Sequence, residues 1–403
     1  MLDLQDVRDA RPRVAETSRH TPLDHSHTFS AMTGADIHLK LETFQRTGAF
    51  KIRGATNRIA TLSEDQREAG VVTASAGNHA QGVALAASRA GVDALVVMPE
   101  DAPISKVEAT RHYGAAVELH GVDYDAAAER AHEIERAEDR YYLHAFDDEQ
   151  VMAGQGTIGL EILDDLPDVD TVVVPIGGGG LIAGIATALE GSKSDVRVVG
   201  VQAEGAASAA ESLRTGEIVE RPGVDTIADG IATRRVGDKP FAVIQERVDE
   251  VVTVSDDQIA VALTLLLERA KTLVEGAGAV PLAALLEGAI DYEEGERIVP
   301  VLSGGNVDMN MLTTLVVRGL AATGRYLRLR TVLEDRPGTL QEFVSVISAH
   351  RANIYAIQHD RTSRDVAMDD AEVELDLETR GPEHAAALVD ALEDAGYPID
   401  VLA

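Results

Sequence analysis

The chain contains no cysteine and no tryptophan, and only 3% of its residues are aromatic. Without cysteine there can be no disulfide, no thiol nucleophile and no zinc–thiolate site. Basic charge is also scarce. Thirty-six Lys and Arg face 68 Asp and Glu, which gives a net charge of −32. Gripping a phosphate backbone takes a basic footprint, so nucleic acid is excluded as a partner. No apolar run reaches the roughly 18 residues of a membrane span, and no membrane association is expected. Charges interrupt the first twenty residues, unlike the apolar core of a secretory signal. The expected location is the cytoplasm.

Lysine occurs only at positions 40, 51, 106, 193, 239 and 271, and arginine supplies the other positive charges. The excess acid is spread along the chain rather than gathered in a tail. A lysine-poor, acidic surface over an ordinary core is the pattern of adaptation to high salt, where self-repulsion is screened. The interior is ordinary: 45% of the 403 residues are hydrophobic and 26% charged. That is a globular balance, and the length suits two or three domains.

From about residue 36 to 320, short apolar runs alternate with helical patterns. Strands are predicted at Ile37–Glu42, Val71–Ala74, Ala94–Met98, Ala116–His120, Tyr141–Phe146, Thr171–Ile176, Val196–Ala203, Val251–Val254 and Ile298–Ser303. Helices are predicted between them, among them Asn78–Ala90, Gln150–Asp164, Leu181–Leu189, Asp256–Ala270 and Val280–Glu287. Runs such as TVVVPI and VRVVGV suit strands buried on both faces. The alternation implies βαβ units in an open α/β sheet, whose ligands sit beyond the carboxyl ends of the strands. After Ala321 the rhythm changes. From Tyr326 the order reads βαββαβ, a ferredoxin-like unit. The expected division is 1–321, a linker at 322–325, and 326–403.

Four loops carry chemistry. In TGAFKIRGA, Lys51 stands at a helix start, where the positive helix end disfavours its charge; a lysine of lowered pKa suits Schiff-base formation. SAGNHAQG (Ser75–Gly82) opens a helix with free backbone N–H groups and the donors Ser75, Asn78 and His79, a place for a carboxylate. GGGGL (Gly177–Leu181) follows TVVVPI and exposes its N–H groups to a phosphate. It is not a nucleotide P-loop, because no GK[ST] follows. In SGGN (Ser303–Asn306), a hydroxyl at a strand end can hydrogen-bond a ring nitrogen. Taken singly, each loop also reads as a capped turn or a solvated helix end. Together, on one α/β sheet, they describe a pyridoxal phosphate (PLP) site.

FKIRGA, SAGNHAQG, GGGGL and SGGN, in this order and spacing, resemble the threonine/serine dehydratases among the fold-type II PLP enzymes. LRTVLEDRPGTL and ANIYAIQHDR resemble an ACT domain, an amino-acid-sensing module. The resemblance implies two open α/β subdomains, the smaller at about 44–149, with a C-terminal ACT domain at 326–403. It implies that Lys51 binds the cofactor aldehyde and that Phe50 packs on its ring. Asn78 would meet the phenolate oxygen, and Gly177, Gly178, Gly179, Gly180 and Leu181 the phosphate. Ser303 would face the ring nitrogen, with Gly230 and Glu275 beside the ring. Ser75, Gly77, Asn78 and His79 would bind the substrate carboxylate. The implied reaction converts L-threonine to 2-oxobutanoate and ammonia, and L-serine to pyruvate, in isoleucine biosynthesis or threonine catabolism.

An amino-acid effector at the ACT domain and a homodimer or homotetramer are implied as well. Relatives of this kind often hold a cation with acidic residues after the strand that here ends GVQAEG. Only Glu204 is acidic in that stretch, so no divalent metal site is expected, and a monovalent ion held by carbonyls stays open. Serine racemases resemble the same catalytic body and carry a serine directly before the Gly-Asn of the carboxylate loop. Here that position is Ala76. The alternatives are a β-replacement synthase and an amino-acid-binding regulator without catalysis. Retention of Lys51 and all four loops argues against the second.

Overall fold

The computed structural model describes residues 1–362, 367 and 369–402. The chain divides into two compact units, Met1–Asp308 and Met309–Ala403. The helix Met309–Ala322 falls in the second unit, ahead of the 322–325 stretch expected as a linker.

In the first unit the strands are β1 (Leu23–His25), β2 (Asp36–Leu41), β3 (Val71–Ala74), β4 (Ala94–Met98), β5 (Ala116–Leu119), β6 (Tyr141–Tyr142), β7 (Thr171–Pro175), β8 (Arg197–Ala203), β9 (Glu250–Val254) and β10 (Arg297–Leu302). They form two sheets, a six-stranded one in the order β1-β2-β10-β7-β8-β9 and a four-stranded one in the order β5-β4-β3-β6. Every pairing is parallel except β1 with β2. The continuous β-branched runs lie at the centre. All five residues of β7 are buried, as are the last five of β10. Val172, Val174, Ile182, Ile185, Val198 and Val299 meet in one core, and Ile52, Val71, Val83, Val96 and Leu143 in another under the smaller sheet.

Three of the expected elements differ in extent or geometry from expectation. The strand expected at Tyr141–Phe146 leaves the sheet after Tyr142. The imidazole of His144 accepts at Nδ1 from the backbone N–H of Phe146 (3.2 Å) and of Asp147 (2.9 Å), which turns the chain away. The helix expected at Val280–Glu287 begins at Gly276, because Gly276 and Gly278 fit where side chains would strike Ile227 and Gly304. The helix expected through Ala270 passes into one π turn at Leu266–Ala270, and Lys271 ends it at φ +57°.

In the second unit the order after the first helix is β11 (Tyr326–Glu334), helix, β12 (Asn353–Asp360), β13 (Asp370–Glu378), helix, β14 (Ile399–Val401). The strands form an antiparallel sheet in the order β12-β13-β11-β14. Its inward residues Leu329, Val373, Leu375 and Leu377 pack with Phe343, Ile347, Leu388 and Leu392 of the two helices. This is the βαββαβ arrangement expected. Residue 403, the end of the expected domain, lies outside the described residues.

Candidate active site

The four loops converge at the carboxyl ends of β2, β3, β7 and β10. The loop before Lys51 is stitched to the loop after β10. Phe50 N–H donates to the Ser303 carbonyl (3.1 Å), Gly305 N–H donates to the Gly48 carbonyl (2.9 Å), and Ala49 bridges Gly304. Gly48 has φ +73°, a conformation side chains resist, and a Cβ there would strike Asn306. Phe50 is the N-cap of the helix Lys51–Ala60, so Lys51 is its first residue.

The Lys51 amine donates to the Ala145 carbonyl at 2.9 Å and lies 5.2 Å from the centre of the Phe50 ring. Burial lowers its pKa to about 8, against the pull of Glu275. A substantial fraction of the amine is therefore neutral and nucleophilic near pH 8.

Asn78 opens the helix Asn78–Ala90. Its amide donates to Glu275 Oε1 at 2.7 Å, while its oxygen accepts from Asn306 Nδ2 at 2.8 Å. Asn306 Nδ2 also reaches the Thr47 carbonyl at 2.6 Å. Burial, followed by the nearby charge of Asp229, raises Glu275 to about 7, and the Asn78 hydrogen bond opposes the shift. Gly230 is exposed, and a Cβ there would lie 3.4 Å from Glu275 Oε1. Ser303 directly follows β10 and is buried.

Gly179 has φ +89° and caps the helix Gly180–Ser192, whose first N–H groups and positive dipole end face the site. A Cβ on Gly178 would fall 2.3 Å from Cγ of Phe146, and one on Gly177 would fall 3.0 Å from Ile231. The glycine run is thus required by close packing as well as by any anion. Leu181 is buried in the core beneath it.

The carboxylate loop is more open. A Cβ on Gly77 would meet nothing within 4 Å. Ser75 is half-buried, and its hydroxyl accepts from the Gly77 N–H at 3.2 Å. His79 turns inward. Its Nε2 lies 3.1 Å from the Leu143 carbonyl, which only accepts, so the proton sits on Nε2. Nδ1 is buried without a hydrogen-bond partner among the described residues. Burial and then the Lys51 charge push His79 down to about 3, so the ring stays neutral. An anion here would meet the backbone N–H of the helix's first turn, with the neutral ring as a support.

These contacts close a ring. Lys51 reaches Ala145, Phe146 covers Gly178, Gly177 abuts Ile231, Gly230 adjoins Glu275, and Glu275 holds Asn78 and through it Asn306 and Thr47. Sequence reasoning left Asn306 and Phe146 unassigned. Asn306 stands inside the SGGN loop and could have been found there. Nothing local marks Phe146. In the turn after β8, Glu204 is exposed.

An amine of lowered pKa at one end and a glycine-capped helix N-terminus at the other fit a phosphorylated aldehyde. The aromatic Phe50 and the Asn78–Glu275 pair fit a flat polar ring between them. This is the architecture of a fold-type II PLP enzyme. A family model described as "Pyridoxal-phosphate dependent enzyme" matches residues 14–304, and the chain belongs to that family. It is 49% identical to L-threonine ammonia-lyase of Geobacter sulfurreducens over 402 residues, covering 100% of both chains. The processed form of threonine deaminase isoform 2 from Solanum lycopersicum superposes with a TM-score of 0.75 at 39% identity, covering 78% of this chain and 92% of that one. Maize serine racemase gives a TM-score of 0.75 at 37% identity, covering 79% of this chain and 98% of the other.

Proposed function

We propose that the chain eliminates water from L-threonine and, more broadly, from L-serine, giving 2-oxobutanoate or pyruvate and ammonia. The observation that carries the reading is Lys51, an amine whose pKa burial lowers to about 8, held 2.9 Å from the Ala145 carbonyl inside the ring of loops. The cofactor, bound there, supplies an electron sink for negative charge developing at the substrate Cα. The chain's residues do the rest. Lys51 attaches the cofactor and, once freed, takes the Cα proton. The Ser75–His79 loop orients the substrate carboxylate through its N–H groups. Phe50 would lie against the ring, Gly177–Leu181 would hold the phosphate, and Asn78 and Ser303 would hold the ring's polar edge. A neutral hydroxyl at Ser303 leaves the ring a weaker sink than a carboxylate would, which favours early loss of the β-hydroxyl. After release, hydrolysis of the enamine product yields the 2-oxo acid and ammonia. The test is direct: threonine alone should give 2-oxobutanoate and ammonia in equal amounts. A requirement for a second nucleophile would move the chain to the β-replacement synthases.

Racemisation is the second reading, because a serine racemase superposes as well as a threonine deaminase. Ala76 argues against it. A methyl group can neither give nor take the proton needed on the face opposite Lys51. Chiral analysis of unreacted serine after partial turnover should find negligible D-serine, and Ala76→Ser should introduce it. D-serine from the unaltered chain, in amounts comparable to pyruvate, would sink this reading.

The C-terminal βαββαβ unit we read as an ACT domain that binds an amino-acid effector. The tomato deaminase and maize racemase chains are almost wholly matched by four-fifths of this chain, which supports a separable tail. Deleting the residues after Arg325 should leave turnover and abolish any response to isoleucine or valine. A retained response would move the effector site elsewhere. The net charge of −32 supports salt adaptation, so the unfolding midpoint should rise between dilute buffer and molar KCl.

A further inference from the structure

At the outer edge of the six-stranded sheet, three potential metal ligands meet on β1 and β2, outside the four loops. β1 runs antiparallel to β2, with His25 directly opposite His38. Ser26 N–H donates to the Ile37 carbonyl, so the His25–His38 pair falls between the ladder hydrogen bonds. Side chains of such pairs stand closest together. The two imidazole centres are 4.9 Å apart. Asp36 precedes His38 by two residues and so points from the same face of β2. His25 Nε2 lies 2.9 Å from Asp36 Oδ1, and His38 Nε2 lies 3.2 Å from Asp36 Oδ2. One ligand atom from each of the three lies within 4.8 Å of the others. His27 packs edge-on against His25 at 4.4 Å, which limits how that ring can turn.

A second observation points the same way. His38 Nε2 is shielded from solvent, yet among the described residues it makes no hydrogen bond of acceptable geometry. A buried polar atom left in this state costs free energy, roughly 1–3 kcal/mol, unless another partner takes it up. Its position beside Asp36 aims it into the space the three groups share.

We propose that His25, Asp36 and His38 form a binding site for a divalent transition-metal ion, with water completing the coordination. Two imidazoles and a carboxylate are borderline-soft donors, which suit Zn²⁺, Co²⁺ or Ni²⁺ and not Mg²⁺ or Ca²⁺. The metal acts as a staple. It ties a three-residue edge strand to β2, the strand that also delivers buried Lys40 to the interior. The site takes no part in the chemistry at Lys51.

The test uses the full-length holoenzyme, stripped with chelator and titrated with Zn²⁺ alone and, separately, Co²⁺ alone. One Zn²⁺ per chain should bind, Co²⁺ should give visible d–d bands, and Zn²⁺ should raise Tm. His38→Ala should weaken Zn²⁺ binding by at least ~100-fold and erase the Tm rise. His25→Gln, at a more exposed position that disturbs folding less, should do the same while turnover of threonine stays unchanged. Fewer than one Zn²⁺ per chain, or equal binding by the unaltered chain and His25→Gln, would overturn the proposal and leave the three side chains as a hydrogen-bonded cluster.

Discussion

Lys51 and Arg53 leave the first turn of one helix and end in opposite electrostatic conditions. Arg53 is completely buried and completely partnered. Its Nε and Nη2 hold both oxygens of Glu42 at 2.9 and 2.8 Å, and Nη1 and Nη2 hold both oxygens of Glu161 at 2.6 and 2.8 Å. Thr157 and the Arg19 carbonyl take further donors, and Lys40 joins Glu161 at 2.8 Å. Two positive and two negative groups therefore balance in the interior. Burial opposes the Arg53 charge, but Glu42 and Glu161 outweigh it and raise its pKa. Glu161 is held below the usual carboxylate range for the same reason, its burial outweighed by Arg53 and Lys40.

Around Lys51 the same ingredients are left incomplete. Among the described residues, the amine has a carbonyl and no carboxylate within hydrogen-bond reach, Glu275 carries a raised pKa, and His79 keeps a bare Nδ1. Full pairing makes burial structural. Withheld pairing makes it reactive, because protonation can then change near neutral pH. The paired cluster sits at the base of the helix that presents the reactive amine.

The comparison is broken most completely at its reactive end. Lys51→Ala should lower turnover more than ~10³-fold, since on the proposed reading one residue would both attach the cofactor and move the Cα proton. Its unfolding midpoint should stay near that of the unaltered chain, as the paired cluster is untouched. Near-normal turnover would put the chemistry elsewhere.

Arg53→Met should do the reverse. Removing one cation leaves buried Glu42 without the ion-pair partner it has here and Glu161 paired with Lys40. The loss should be about 3–5 kcal/mol, read from urea unfolding. Any fall in turnover should follow the folded fraction. Unchanged stability would mean that the cluster is not what anchors the helix.

Gly178→Ala tests the other wall of the site. The new methyl would fall inside the Phe146 ring. Displacing it should cost about 1–3 kcal/mol through overpacking, seen as weaker cofactor retention on dilution. Phe146→Ala in the same chain should restore part of the affinity. Failure to restore it would mean that the glycine serves the phosphate alone.

The two clusters were not equally legible in the sequence. The reactive one lies in four short motifs at strand ends, so spacing and residue type exposed it before any fold was known. Its glycines were read as room for a phosphate, whereas Gly178 and Gly177 also make room for Phe146 and Ile231. The paired cluster was invisible. Lys40, Glu42, Arg53 and Glu161 lie up to 121 residues apart, and isolated charges read as surface. The N-terminal helix Leu4–Thr17 was missed for a related reason, since its charges and Pro12 mask the face that buries Val7, Ala10 and Val14.

The smallest expected effect sharpens the comparison at its one tunable point. Glu275 supports the ammonium form of Lys51, while burial disfavours it, and burial wins, so the pKa rests near 8. Glu275→Gln keeps an oxygen for the Asn78 amide and removes only the charge. With that support gone, burial acts unopposed and the Lys51 pKa should fall further below 8, by roughly one unit or less. The readout is the rate at which apoenzyme takes up cofactor as pH is varied, since only the neutral amine reacts. In the unaltered chain the rate should rise through a midpoint near pH 8, and in Glu275→Gln that midpoint should move to lower pH. Glu275 itself titrates near 7, so its pull is complete only above that value. The two chains should therefore differ most clearly above pH 7. A midpoint that does not move would show that Glu275 is already neutral when cofactor binds. The amine would then be tuned by burial alone.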